Sequence, residues 1–522
     1  MTLPTNPARR RFLRGLAQVA GATALAACGS GTEAVPAPSA ADAAPPAPPP
    51  GPEPLPDGLD RTFFHVHNEG PLSLETRRGT HGRGVLTPND RFFVRNNLPR
   101  PSADILVDRD AWVIDMVGVA KPGTITLGEL KKLGVDTEAV TVQCSGNGRA
   151  FFDHGPSGSP WATGAAGTAI WTGVRLKDVL AHMGGVAPGM KFLTSTGGEV
   201  LPEGVDRDTV VVERSVPIEK AMEDVLLAWE MNGEPIPLTH GGPVRLIVPG
   251  FFGVNHIKYV RRIAATAEQT NAKIQKKGYR FRPIGESGSP THPSMWRMPV
   301  KSWLNGPGTN GRTVAAGRVV FYGVALSGER GVRGVEVSLD GGESWQAATL
   351  EGPDLGPNAW RAFSFATELV IGRHVVHTRA TDTAGEVQPR DRVENERGYG
   401  HNGWWDHGLE VTVTAEVEDL PEEPVAAVPR KPSGPVTLSE SGARGKQVFM
   451  TDAQPTCGTC HTLGDAGSQG MVGPNLDALA PEAARVESAV TNGVGAMPGF
   501  GGRLTEAQIK DVATYVAEAT GG

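Results

Sequence analysis

The sequence predicts a multidomain protein with a mixed α+β domain, a β-sandwich and a small all-α domain, preceded by an N-terminal segment that belongs to none of them. Three observations carry this. Two Pro-rich stretches divide the chain, residues 296–415 read as short alternating strands, and the C-terminus carries an amphipathic helical pattern. A chain of 522 residues is long enough for roughly two to four cores. Apolar content of 39% and a formal charge of −7 describe a loop-rich, mildly acidic protein without the basic character that nucleic acid requires.

In residues 1–28, Arg9-Arg10-Arg11-Phe12-Leu13-Arg14 precedes an apolar stretch, Leu16 to Ala27, too short to span a membrane. This pattern reads as a twin-arginine export signal, and Leu25-Ala26-Ala27-Cys28 resembles a lipobox. The expectation is a periplasmic protein, anchored to a membrane as a lipoprotein through Cys28. Residues 29–58 form a Pro/Ala-rich linker that favours extended polyproline conformations. Residues 59–295 mix helical and strand patterns with Gly-rich turns. In residues 296–415, Val335, Val337 and Leu339 alternate before Asp340-Gly341-Gly342, a hairpin signal suited to an immunoglobulin-like sandwich. A second linker, residues 416–436, leads to the final domain, residues 437–522.

The four cysteines stand at 28, 144, 457 and 460. Cys457-Gly458-Thr459-Cys460-His461 supplies two thiols that add to haem vinyl groups and a histidine placed to reach the iron. The spacing to Gly473-Pro474-Asn475-Leu476 and to Asn492 through Phe500 resembles class I cytochromes c, in which a Met-Pro loop supplies the sixth ligand. That resemblance makes Met497 the second axial ligand, with Met471 as the competing methionine, and implies one covalently bound c-type haem. Thr505-Glu506-Ala507-Gln508 is a capping box ahead of Ile509, Val512, Ala513 and Val516, the buried face of a terminal helix.

Cys144 is left without a pairing role. Residues 140–143 alternate like a strand and run into Cys144-Ser145-Gly146-Asn147-Gly148-Arg149, where a nearby cation favours the thiolate and a soft metal suits it. Read alone, this is as compatible with a buried structural cysteine. The segment resembles the C-x-G-N-x-R motif of the sulfite oxidase family of molybdenum enzymes. The resemblance extends over residues 80–410, through Phe92-Phe93-Val94-Arg95-Asn96-Asn97, Trp161, Glu230 to Pro235, His240-Gly241-Gly242-Pro243-Val244-Arg245, Val248-Pro249-Gly250 and Lys258.

The resemblance implies a sulfite-oxidase-type α+β molybdopterin domain, an immunoglobulin-like domain that forms a homodimer, and molybdenum–molybdopterin ligated by Cys144. It places Arg95, Asn97, Asp206, His240, Arg245 and Lys258 around the cofactor, and assigns Arg95, Arg149, Tyr279, Trp161 and Arg397 to the substrate pocket. Asn97 stands where animal and plant members usually have His. The implied activity is sulfite oxidation, with electrons leaving one at a time through the haem to a soluble cytochrome c or similar acceptor. Two alternatives remain open at this stage. One is a sulfane dehydrogenase acting on carrier-bound sulfur; the other is a non-catalytic haem electron-transfer protein with a vacant molybdenum domain.

Overall fold

The computed structural model describes residues 54–415 and 436–521, apart from 202–203, 207–209, 308–312, 471 and 495–496. The export signal, the lipobox, nearly all of the first linker and the second linker up to residue 435 lie outside the described residues. The expected first linker ends earlier than residue 58. Leu55 and Leu59 are buried in a small apolar cluster with Phe64, Leu72, Leu74 and Val94, because leucine returns to the sequence there and gives the chain something to bury.

The α+β domain holds two five-stranded sheets. In one, strand Asp136–Gln143 pairs antiparallel with Ala166–Arg175, which pairs in turn with Leu226–Met231. The other runs in the order 123–126, 113–117, 262–266, 192–196, 213–217, with one parallel pair between 262–266 and 113–117. Helices are short. Leu127–Leu133 starts at a capping box in which the Thr126 hydroxyl accepts from the Glu129 amide and the Glu129 carboxylate accepts from the Thr126 amide.

The alternation expected for 140–143 is not observed: residues 139–143 are buried on both faces. The cause lies in the next domain. The Thr141 amide donates to the Asn358 carbonyl at 2.9 Å, and the Trp360 amide donates to the Thr141 hydroxyl at 2.8 Å. A strand covered on both sides gains nothing from a polar face.

The β-sandwich packs a four-stranded sheet, built on Val300–Gly306, Gly317–Ser327 and Arg361–Leu369, against a five-stranded sheet built on Val332–Ser338, Gly372–Asp382 and Leu409–Thr414. The expected hairpin is present, with Val332–Ser338 pairing to Gln346–Ala347 and Val335 and Val337 buried inside. Trp303, Val324, Leu326 and Trp360 leave this interior and join the large core of the α+β domain, so the two domains share apolar packing. The C-terminal domain is helical as expected, with one addition, a two-stranded pair of Thr462–Leu463 with Ser468–Gln469. Its last helix, Glu506–Thr520, starts at the expected Thr505/Gln508 capping box and buries Ile509, Val512, Ala513 and Val516.

Candidate active site and haem-binding segment

Strand Asp136–Gln143 ends at Cys144, and the chain turns back on itself there. The Cys144 amide donates to the Ala165 carbonyl at 2.9 Å, and the Ala165 amide donates to the Asn147 side-chain oxygen at 3.0 Å. The Asn147 amide closes the loop on the Cys144 carbonyl at 3.0 Å. Cys144 is thus fixed at a strand end, buried at 8% exposure.

Beside it lies a cavity lined by Arg95, Asn96, Asn97, Ser145, Glu199, Arg245, His256, Lys258 and Tyr279. Its wall is cationic, and several polar atoms there have no protein partner. Among the described residues, Arg245 Nε, Asn96 Nδ2 and Ser145 Oγ are buried and unbonded. Buried donors without acceptors cost free energy, so this wall is shaped for an oxygen-rich, anionic group. Lys258 reaches the Asn96 side-chain oxygen at 2.6 Å and the Thr239 carbonyl at 2.5 Å. Burial holds its ammonium well below the ordinary lysine range.

His240 does not line the cavity. Its ring bonds to the Asn89 carbonyl at 3.0 Å, its own carbonyl accepts from Arg245 Nη1 at 2.8 Å, and burial keeps it neutral with a pKa of about 3. It therefore orients Arg245. Asp206 is exposed and is not among the cavity-lining residues. Asn97 lines the cavity and accepts from the Tyr279 hydroxyl at 3.0 Å. Trp161, fully buried, shares an apolar cluster with Cys144 and meets the His67 ring edge-on at 4.9 Å.

Arg149 is buried, and among the described residues its guanidinium donates to two carbonyls, those of Arg397 at 2.9 Å and Ser159 at 2.8 Å. Arg397 is also buried, with its Nε unbonded. Neither arginine lines the cavity itself, but two buried cations without a carboxylate partner among the described residues are available to attract an anion. The sequence reading missed Glu199, Lys301 and Tyr399. Burial pushes the Glu199 carboxyl up to about 8, and its Oε2 has no partner. Tyr399 stacks on Tyr279 with ring centroids 5.2 Å apart. A signal for it existed: an aromatic residue between two glycines, directly after Arg397-Gly398.

In the C-terminal domain, His461 is buried and its Nδ1 bonds to the Pro474 carbonyl at 3.0 Å. That bond places the proton on Nδ1 and leaves Nε2 with its lone pair, the arrangement a haem-ligating imidazole needs. Cys457 and Cys460 are half-buried on the turn before it, unpaired. Met497 is half-buried against the same domain's core.

Residues 100–274 match the oxidoreductase molybdopterin binding domain, 292–412 the Mo-co oxidoreductase dimerisation domain, and 440–516 the domain described as cytochrome C oxidase, cbb3-type, subunit III. Mitochondrial sulfite oxidase of Rattus norvegicus is 34% identical over 381 residues, covering 68% of this chain and 67% of the relative. The chain belongs to the sulfite oxidase family. Mitochondrial sulfite oxidase of Homo sapiens is 35% identical over 67% of this chain and 66% of that protein, so the match spans about two thirds of these relatives' length. Among solved structures, the sulfane dehydrogenase SoxCD from Paracoccus pantotrophus has a TM-score of 0.54 at 27% identity, covering 66% of this chain and 87% of that one.

The cofactors are molybdenum–molybdopterin and a c-type haem. The observed chemistry fits both. The Cys144 thiol stands at the edge of the cavity whose unbonded donors suit an anionic cofactor, and His461 presents a free Nε2 beside two thiols.

Proposed function

We propose that this oxidoreductase converts sulfite to sulfate at the Cys144 site and passes the electrons one at a time through the C-terminal haem to an external cytochrome c. One observation carries the reading. Val472 and Cys460, from the haem-binding segment, pack on the same apolar core as Tyr279 of the cavity and Tyr399, which stacks on it. Across that junction the Lys273 ammonium donates to the Met497 carbonyl. This packing supports a one-electron group bound beside the two-electron site.

When bound, the molybdenum cofactor supplies two-electron oxygen-atom transfer and the haem one-electron transfer. Overall, sulfite and water become sulfate, two protons and two electrons. Sulfite is a small dianion near neutral pH; Arg95 lines the cavity, and Arg149 and Arg397, buried around the Tyr399 ring that stacks on Tyr279 of its wall, add the cations that draw it in. Tyr279, whose hydroxyl donates its proton to the Asn97 side-chain oxygen, lines the same cavity. Trp161 packs behind Cys144 and keeps water from that side.

Residues 1–28 support export by the twin-arginine route, with Cys28 as the lipid attachment point, and residues 292–412 support a homodimer. A second reading, oxidation of carrier-bound sulfane sulfur, is favoured by the likeness to SoxCD. Anaerobic addition of sulfite to the purified protein, with the haem spectrum recorded, separates the two. Sulfite reduces the haem and thiosulfate and methionine sulfoxide do not; a haem that stays oxidised with sulfite but is reduced by a persulfide-bearing carrier protein selects the second reading.

A further inference from the structure

Arg149 and Arg397 form no ion pair among the described residues, yet both are buried and their charges repel. Something must hold two guanidinium groups together without neutralising them. A carboxylate in that place would compete with the substrate anion. An aromatic ring would not, because its quadrupole attracts a cation while leaving the charge available.

Tyr399 is such a ring. It is 3% exposed, stacked on Tyr279 at 5.2 Å with the planes 12° apart. The Arg149 and Arg397 guanidinium carbons lie 5.3 Å and 5.8 Å from its centroid. Its backbone is fixed on both sides. The Tyr399 amide donates to the Asn395 side-chain oxygen at 2.9 Å, and the Asn395 side-chain nitrogen donates to the Tyr399 carbonyl at 2.9 Å. The Gly400 amide donates to the Ser145 carbonyl at 2.9 Å, tying the segment to the Cys144 loop. Gly398 has φ +57, and a Cβ there would lie 3.0 Å from Arg149 Cγ, so the turn can bring the ring against the arginines only with glycine.

We propose that Tyr399 is a positioning residue of the substrate pocket, its ring holding Arg149 and Arg397 side by side for one small divalent oxyanion while backing the Tyr279 ring. This rests on the reading of the pocket as a sulfite-oxidising site. The ring carries the role, and the hydroxyl does not.

The test uses the full-length holoprotein with Tyr399→Phe and Tyr399→Met, the latter keeping bulk without a ring. Sulfite KM and kcat are measured together with sulfate affinity by calorimetry, which needs no turnover, and molybdenum and haem contents are checked. Tyr399→Met weakens sulfate binding and raises sulfite KM by about tenfold, with kcat changing less, whereas Tyr399→Phe matches the wild type. Wild-type sulfate affinity in Tyr399→Met overturns the proposal. So does a Tyr399→Phe variant that loses affinity tenfold, and this arm still decides should Tyr399→Met lose its molybdenum. A wild-type protein that neither binds sulfate nor reduces its haem with sulfite overturns instead the sulfite reading beneath it.

Discussion

Lys301 Nζ donates to the Asn147 carbonyl at 2.9 Å, joining the first strand of the β-sandwich to the loop that carries Cys144. Lys301 is fully buried and forms no ion pair among the described residues, so burial lowers its pKa to about 7 from an ordinary value of 10.5. Between those values the unfolded chain binds a proton that the folded chain has released. Stability from this group therefore rises with pH across that window, and its burial penalty, about 5 kcal/mol, is fully present below pH 7. Comparing wild type with Lys301→Met at pH 6, 8 and 10 cancels the other titrating groups. The wild type gains stability relative to the variant as pH rises; parallel curves would show that Lys301 does not titrate in this window.

Gly148 follows the same loop with φ +109, and a Cβ there would stand 2.5 Å from His401 Cγ. His401 cannot yield easily, because its Nε2 bonds to Asp406 at 2.8 Å and Asp406 is clasped by Arg392. Gly148→Ala thus carries both backbone strain and a clash. The loop shifts, and the purified variant retains less molybdenum by elemental analysis while its haem content, which depends on Cys457, Cys460 and His461, stays at wild-type level.

The parts of the site legible in the sequence are those whose chemistry lies within one short segment. Cys144 to Arg149 and Cys457 to His461 are contiguous, and their spacing follows from the bonds they must make. Lys301 and Tyr399 are different: each belongs to the β-sandwich and reaches the Cys144 loop only through tertiary packing, across more than 150 residues of chain. The same packing hid the character of strand Asp136–Gln143, whose second face is covered by residues 358–360. Local pattern reports local geometry, and neither a buried lysine nor a stacked tyrosine leaves a period in the sequence.

Met497 tests the haem half of the site. A thioether ligand raises the potential of a haem and a second imidazole lowers it. Met497→His lowers the midpoint potential measured by spectroelectrochemical titration, and it slows haem reduction by sulfite because the driving force falls. An unchanged potential would place the sixth ligand elsewhere.

Arg149 tests the substrate half. Its guanidinium reaches two carbonyls at 2.8 Å and 2.9 Å and, among the described residues, no carboxylate, so no protein counter-charge competes with a substrate anion for it. Removing a charge-assisted contact costs about 1.5–3 kcal/mol, a factor of roughly 10 to 150 in kcat/KM. Arg149→Gln raises sulfite KM by about that factor and leaves KM for the cytochrome acceptor unchanged, because the acceptor receives electrons from the haem and never enters the Cys144 pocket. Arg149→Lys restores the charge without the planar fork that spans both carbonyls, and it falls between the two. Steady-state kinetics with each substrate varied in turn check this, and equal sulfite KM values in the three proteins would remove Arg149 from the substrate pocket.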